Sequence, residues 1–155
     1  MNYQYMRSPI GRLRLLSDGQ CLTAIEFENR QLDRPGDTER GDPVLRLCAQ
    51  QLDEYFAGKR RSFDIPLAAG GTAFQQRVWQ ALSDIPYGEL RSYRDIAHAL
   101  DNDKAVRAVG AANGRNPIPV IVPCHRVIGS DGSLTGFAGG IAVKRALLEL
   151  EGAEL

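Results

Sequence analysis

The stretch from Asn116 to Arg126, Asn-Pro-Ile-Pro-Val-Ile-Val-Pro-Cys-His-Arg, constrains this chain more than any other. The apolar residues Ile118, Val120, Ile121 and Val122 are punctuated by Pro117, Pro119 and Pro123 and lead into Cys124, His125 and Arg126. Such a run suits a short buried strand, and the prolines, which lack an N–H, keep it off any central ladder position. The expected product is a rigid arm that presents one thiol with an imidazole beside it.

At 155 residues the chain forms one domain or two small ones and can bury roughly two-thirds of its unfolded surface. There is no run of 18 apolar residues to cross a membrane. Met-Asn-Tyr-Gln-Tyr-Met-Arg-Ser-Pro has no basic segment leading into an apolar block, so a cytoplasmic location is expected. Cys21, Cys48 and Cys124 are an odd number with no close pair, which in that compartment favours free thiols. The only histidines are His98 and His125, and no Cys-x-x-Cys occurs. A closed four-ligand zinc site would therefore have to consume Cys124 or recruit carboxylates, so no metal is expected.

The formal net charge is zero, but its distribution is uneven. Between Ala73 and Arg145 nine basic residues face six acidic ones, a surplus of three that permits a local phosphate footprint without requiring it.

Taken in order, residues 1–30 have the pattern of a β-meander. Tyr3 and Tyr5 alternate with polar residues, as do Leu13 and Leu15, with turns at Ser8-Pro9-Ile10-Gly11 and Asp18-Gly19 and a third strand through Leu22, Ala24, Ile25 and Phe27. Residues 29–42 form a polar loop. Asp42 then caps a helix with Pro43 at its first position, whose apolar stripe is Val44, Cys48, Leu52 and Tyr55 and whose end is Gly58. Cys48 is read as a small buried apolar residue of that stripe, and Cys21 likewise. Phe63, Ile65 and Leu67 alternate as one more strand, and Ala68-Ala69-Gly70-Gly71 marks a boundary. The expected division is residues 1–70 and 71–155.

The second part is mostly helical. Thr72 and Gln75 have capping-box spacing ahead of a helix whose core face is Phe74, Val78, Ala81, Leu82 and Ile85, with Trp79 beside it. Ser92 with Asp95 caps a short helix carrying Ile96, Ala97 and Leu100. Asp101-Asn102-Asp103 supplies a tight connection and a further N-cap for a helix over about 104–113, with Val106 and Val109 inward, small residues elsewhere and Arg107 projecting. Two short helices joined this way have a helix-turn-helix shape, although an alanine-rich face also suits close helix packing. Val127 to Gly132 reads as another turn-forming segment and Leu134 to Gly140 as a glycine-rich loop. A last helix, about 141–151, is expected to bury Ile141, Leu147, Leu148 and Leu150 before Gly152.

A Cys-His pair can be a nucleophile and its base. In an extended segment, however, neighbours point to opposite faces, so activation must pass through a water or the chain must turn sharply at Pro123. A third group must orient the imidazole, and Glu151 is one of several carboxylates that could do so.

Pro123-Cys124-His125-Arg126-Val127, preceded by Asn116-Pro117, resembles the active-site signature of the O6-alkylguanine-DNA alkyltransferases. The likeness continues through Phe74-Gln75-Gln76-Arg77-Val78-Trp79, Ile85-Pro86-Tyr87-Gly88-Glu89, Ser92-Tyr93, Arg107-Ala108-Val109-Gly110, Gly139-Gly140 and Glu149-Leu150-Glu151-Gly152. It covers about residues 72–152, with a looser likeness before that.

The resemblance implies an α/β protein with two domains. The N-terminal one would be a small antiparallel-sheet α/β domain, ribonuclease H-like. The C-terminal one would be mainly helical, with a winged-helix-like helix-turn-helix. It implies single-turnover repair in which Cys124 irreversibly accepts the alkyl group of O6-alkylguanine in duplex DNA, with O4-alkylthymine a second candidate lesion and no cofactor. His125 would act through a water, Glu151 would orient it, Asn116 would brace the turn, and Tyr93 would assist phosphate rotation and protonate the leaving base. Arg107 would enter the duplex from a helix in the minor groove as the base flips out. Tyr93, Arg94, Asn102, Arg107, Val127, Ser130, Phe137 and Ala138 would contact DNA or the base. The protein would be a monomer capable of cooperative loading on DNA, with no membrane partner.

Phe137 stands where many relatives carry tyrosine, which leaves only a backbone contact there. Ligands for the zinc of some animal relatives are absent. Alkyltransferase-like proteins that bind lesions without repair usually replace the cysteine, and here Cys124 is present. A lesion-sensing DNA-binding module and a cysteine hydrolase are the rival readings.

Overall fold

The structure, a computed structural model, describes residues 1–155. It separates into two compact units, Met1–Gly70 and Gly71–Leu155. No helix is long and apolar enough to cross a membrane.

The first unit is a sheet carrying one helix. Strands β1 (Asn2–Ser8), β2 (Gly11–Ser17) and β3 (Leu22–Glu26) are antiparallel in the order β3-β2-β1. A two-residue strand, β4 (Thr38–Glu39), joins the β1 edge in parallel, so the sheet is antiparallel except at that edge. Leu13 and Leu15 are fully buried, but the expected alternation with exposed residues stops there, since Arg14, paired with Glu26, and Leu16 and Ser17 are buried as well. Helix α1 (Pro43–Phe56) packs against β1 and β2 and buries Val44, Leu45, Cys48, Leu52 and Tyr55. Its N-cap is Asp42, whose Oδ1 accepts from Leu45 N at 2.8 Å. The other oxygen accepts from Asn2 Nδ2 at 3.0 Å and from Ser17 Oγ, which ties the helix start to both β1 and β2.

Two expectations fail in this unit. Phe63 to Leu67 is not a strand. The buried Gln51 amide occupies both backbone groups of Asp64, donating to its oxygen at 3.1 Å and accepting from its nitrogen at 2.9 Å. Pro66 has no N–H, and only Leu67 forms a bridge, to Leu22. Cys21 is half-exposed in the Asp18 turn, where its N–H donates to Asp18 Oδ1 at 2.8 Å, and is not a core residue.

The second unit has six short elements besides the turn that carries Cys124. Helix α2 (Ala73–Ser83) begins with the expected capping box of Thr72 and Gln75, and it buries Val78, Trp79 and Leu82. Strand β5 (Arg91–Ser92) leads directly into α3 (Tyr93–Ala99), capped reciprocally by Ser92 and Asp95. Helix α4 (Val106–Gly114) packs on both α2 and α3, completing the helix-turn-helix. The indole Nε1 of Trp79 donates to Ala112 O at 2.9 Å, which seats α4 on α2. Helix α4 starts later than expected, because Asp103 does not cap it. The Asp103 carboxylate lies 3.1 Å from His98 Nδ1, and the N-cap is Ala105.

Val127–Ile128 forms β6, parallel to β5, where a turn was expected. Helix α5 (Ile141–Leu150) buries Lys144, Leu147 and Leu148, and Glu151 is buried at its C-cap. That spacing is one helical stripe with polar groups at both ends. Ile141, expected in the core, is 48 % exposed, and Leu150 is also exposed.

Replacing Asp42 with alanine removes the cap and both of its sheet tethers. A loss of about 1–2 kcal/mol is expected, read as a lower urea midpoint with an unchanged slope.

Candidate active site

The proline-rich segment is a closed turn, not a strand. Val122 N donates to Ile118 O at 3.0 Å, and Pro119 and Val122 form an isolated bridge. Val120 sits at φ 75°, which for a β-branched residue costs on the order of 1–3 kcal/mol. Asn116 compensates. Its Oδ1 accepts from Ile118 N at 3.0 Å and its Nδ2 donates to Val122 O at 2.8 Å. The side chain thus does the pairing that the N–H-less prolines cannot.

Pro123, at φ −82° and ψ 63°, makes an inverse γ-turn in which Cys124 N donates to Val122 O at 2.8 Å. A single 3-10 turn, Cys124–Arg126, follows. The sharp bend at Pro123 is therefore present, and the alternation that separates Cys124 from His125 in an extended chain does not apply.

His125 is fully buried, with Nε2 at 2.8 Å from Glu151 Oε2. Glu151 is held from the other side by Arg126, whose Nε donates to Oε1 at 2.8 Å and whose Nη2 donates to Oε2 at 3.0 Å. Arg126 Nη1 donates to Ile85 O at 2.7 Å, and the guanidinium lies 5.7 Å from the Tyr87 ring centre. Burial lowers the His125 pKa against the opposing pull of Glu151, so the imidazole is neutral at pH 7. With an ionised Glu151 the proton belongs on Nε2, which leaves Nδ1 as a lone-pair acceptor. That Nδ1 is buried and has no partner within the chain.

Cys124 is 4 % exposed, and burial pushes its thiol up to about 11, opposite to the lowered value a nucleophile wants. The Asn116 side chain and the charge of Lys144 oppose that rise. Lys144 is 0 % exposed and has backbone carbonyls as partners, donating to Val127 O at 2.5 Å and Thr135 O at 3.0 Å. Burial pulls its pKa down to about 8. Tyr93 Oη reaches the same Thr135 carbonyl at 3.4 Å.

The structure thus brings together Cys124, His125, Glu151 and Asn116, with Tyr93 linked through Thr135. Val127 is buried in β6, and Phe137 and Ala138 are half-buried in the glycine-rich loop. Arg94, Asn102, Arg107 and Ser130 are exposed, the first three on the helix-turn-helix. No three His, Cys, Asp or Glu residues gather to hold a metal.

Sequence reasoning missed Arg126, Lys144 and Asn113, whose Nδ2 donates to Cys124 O at 3.4 Å. Lys144 was detectable as the residue in register with Leu147, Leu148 and Glu151, but a lysine is by default assigned to solvent.

Because Lys144 has its pKa lowered on folding, the unfolded chain holds a proton that the folded chain lacks between about pH 8 and the usual 10.5. Its contribution to stability therefore increases as pH rises through that window. Urea unfolding of Lys144→Met should show stability rising less, or falling more, across that window than in the parent protein, because the buried thiols of Cys48 and Cys124 pull the other way in both, and an unchanged slope would contradict the assignment.

The family model described as 6-O-methylguanine DNA methyltransferase, DNA binding domain, matches residues 73–153. That of the ribonuclease-like domain of the same family matches residues 1–69. The chain is 48% identical over 154 residues to the methylated-DNA--protein-cysteine methyltransferase of Methanosarcina acetivorans, covering 98% of this chain and 99% of that one. It is 46% identical to the constitutive enzyme of that name from Bacillus subtilis, covering 96% and 94%. Among solved structures, Mycobacterium tuberculosis OGT in complex with DNA superposes with a TM-score of 0.92 at 51% identity, covering 98% of this chain and 93% of that one. An O6-methylguanine DNA methyltransferase from Methanococcus jannaschii superposes at 0.67 with 27% identity, covering 98% and 95%. With both of its parts matched by family models and its relatives aligned over nearly their whole length, the chain belongs to the 6-O-methylguanine DNA methyltransferase family.

Proposed function

We propose that this protein repairs O6-alkylguanine in DNA by direct reversal, moving the alkyl group to Cys124 in one irreversible turnover. The observation that carries this reading is the buried series Arg126, Glu151 and His125, which ends in an unpartnered Nδ1 one residue from the thiol.

In the reaction, the sulfur attacks the alkyl carbon in line as the carbon–oxygen bond breaks, and the electron pair leaves on guanine O6. His125 Nδ1 takes the thiol proton through a bridging water, and Glu151 stabilises the resulting imidazolium. Lys144 supplies positive charge that favours the thiolate against the cost of burial. Tyr93, whose hydroxyl rests on the Thr135 carbonyl, turns to the departing base and gives it a proton, and the proton held on His125 then restores the phenol through solvent, so the thiol proton ends on guanine. The thioether formed is not reversed by thiol exchange, and no cofactor enters the balance.

Duplex DNA is engaged through the helix-turn-helix, with α4 in the minor groove. Its exposed face is Arg107, Ala108, Ala111 and Gly114, small enough for close approach, and Arg107 fills the stack when the base flips. Arg94, Asn102 and Ser130 contact the backbone, and Val127, Phe137 and Ala138 wall the base pocket. Residues 71–155 thus carry both DNA binding and chemistry. We further propose a cytoplasmic monomer that loads cooperatively on DNA and accepts O4-alkylthymine as a second lesion.

Incubation with a stoichiometric amount of methylated-guanine duplex should add one methyl group to the intact mass, localised to Cys124, and Cys124→Ser should add none. Absence of the gain in the parent protein would overturn the reading, whereas lesion binding and biological effect that persist in Cys124→Ser would favour a sensor. Arg107→Ala should slow repair of the duplex more than attack on free O6-benzylguanine, and equal losses on both would remove Arg107 from base flipping.

A further inference from the structure

Helix α4 has a polar residue where its packing calls for an apolar one. Val109 and Ala112 form its buried side together with Asn113, which is 2 % exposed. A buried amide is costly unless its groups are bonded, and an alanine or leucine would complete the same stripe without that cost. The Asn113 Nδ2 donates to Cys124 O at 3.4 Å, while its Oδ1 has no partner within the chain. The same carbonyl of Cys124 accepts from Val127 N–H, which closes the 3-10 turn carrying Cys124 and His125. The amide therefore holds the one peptide unit that joins the thiol residue to the imidazole residue.

Arg107 stands six residues earlier on the same helix, roughly 9 Å along its axis. That helix is seated on α2 by the Trp79–Ala112 bond immediately before Asn113.

We propose that Asn113 is a positioning residue for alkyl transfer. Its amide tethers the Cys124–His125 peptide to α4, so the helix that fixes the protein on the duplex also fixes where sulfur and Nδ1 stand. This rests on the DNA-repair reading above. Asn113 does not touch the reacting atoms. It sets the angle at which the unpartnered Nδ1 and the thiol face a common point. Misplacement there lowers the rate of transfer without weakening the grip on DNA.

The test is single-turnover methyl transfer at saturating lesion duplex, alongside DNA affinity and thermal melting. Asn113→Leu keeps the number and branching of the side-chain heavy atoms and removes the donor, and should slow transfer on the order of 10-fold while the Kd for DNA stays as in the parent protein. Asn113→Asp keeps the shape, and its carboxyl can donate to the Cys124 carbonyl only when protonated. Burial raises the pKa of such a carboxyl, so the ratio of its rate to the parent rate should climb as pH falls from 8 toward 5. Taking the ratio at each pH removes the part of the titrations of Cys124, His125 and Lys144 that the two proteins share, and an ionised carboxyl that raises the thiol's pKa slows transfer in the same direction.

Parent-like transfer by Asn113→Leu, or a loss explained wholly by weaker DNA binding, would overturn the proposal, as would a rate ratio for Asn113→Asp that is flat with pH. If Asn113→Leu does not fold, the pH dependence of Asn113→Asp decides alone. A parent protein that takes up no methyl group would instead remove the repair reading on which the proposal rests, so the two failures are distinguishable.

Discussion

One buried carboxylate organises the candidate site of this molecule. Glu151 receives two bonds from Arg126 and one from His125, in a place where an isolated charge would be expelled. A buried ion pair of this kind contributes little net stability, yet removing one member leaves the other charge unmatched at a cost of about 3–5 kcal/mol. The value of the arrangement is directional. Arg126 is anchored to Ile85 O, which fixes Glu151, which fixes the imidazole, and the imidazole then has a single free nitrogen. The N–H of Gly88, at 3.4 Å from Glu151 Oε1, adds a backbone anchor for the same carboxylate. Side chains separated by 25 residues or more are thereby held to the reach of hydrogen bonds.

The second constraint is the strain gathered just before Cys124. Val120 adopts a left-handed backbone that its side chain disfavours, and Pro123 bends the chain at an inverse γ-turn. Such geometry persists only where the surroundings over-determine it. Here Asn116 bonds both limbs of the turn, and Ile118, Val120 and Val122 are buried around it. The result is a thiol on a rigid corner whose own backbone N–H and C=O are both engaged.

Much of this was legible in the residues. Asp42, Thr72 and Ser92 cap as their types and spacings indicate, because a cap is a local interaction that needs only a few neighbouring positions. Cys124, His125 and Glu151 were legible because their neighbours form an ordered series. The failures have a common cause. Ile118 to Val122 and Phe63 to Leu67 have strand composition, but a side-chain amide, Asn116 from just ahead of the one and Gln51 from α1 for the other, captured backbone groups that a ladder would have used. Composition reports what a segment buries, not which partner satisfies its backbone. Lys144 and Asn113 escaped for the converse reason. Their polarity argues for solvent, and only the three-dimensional placement of Val127, Thr135 and Cys124 carbonyls makes burial acceptable.

Trp79 is the chain's one tryptophan, and its ring is closely confined. A Cβ at Gly71 would fall 2.5 Å from it, and its N–H is committed to the Ala112 carbonyl. The molecule therefore contains a single indole, which can be excited apart from its five tyrosines, and that indole is bonded to the helix proposed to meet DNA. Its emission is a label-free optical gauge of how α4 sits, available without modifying any residue of the site.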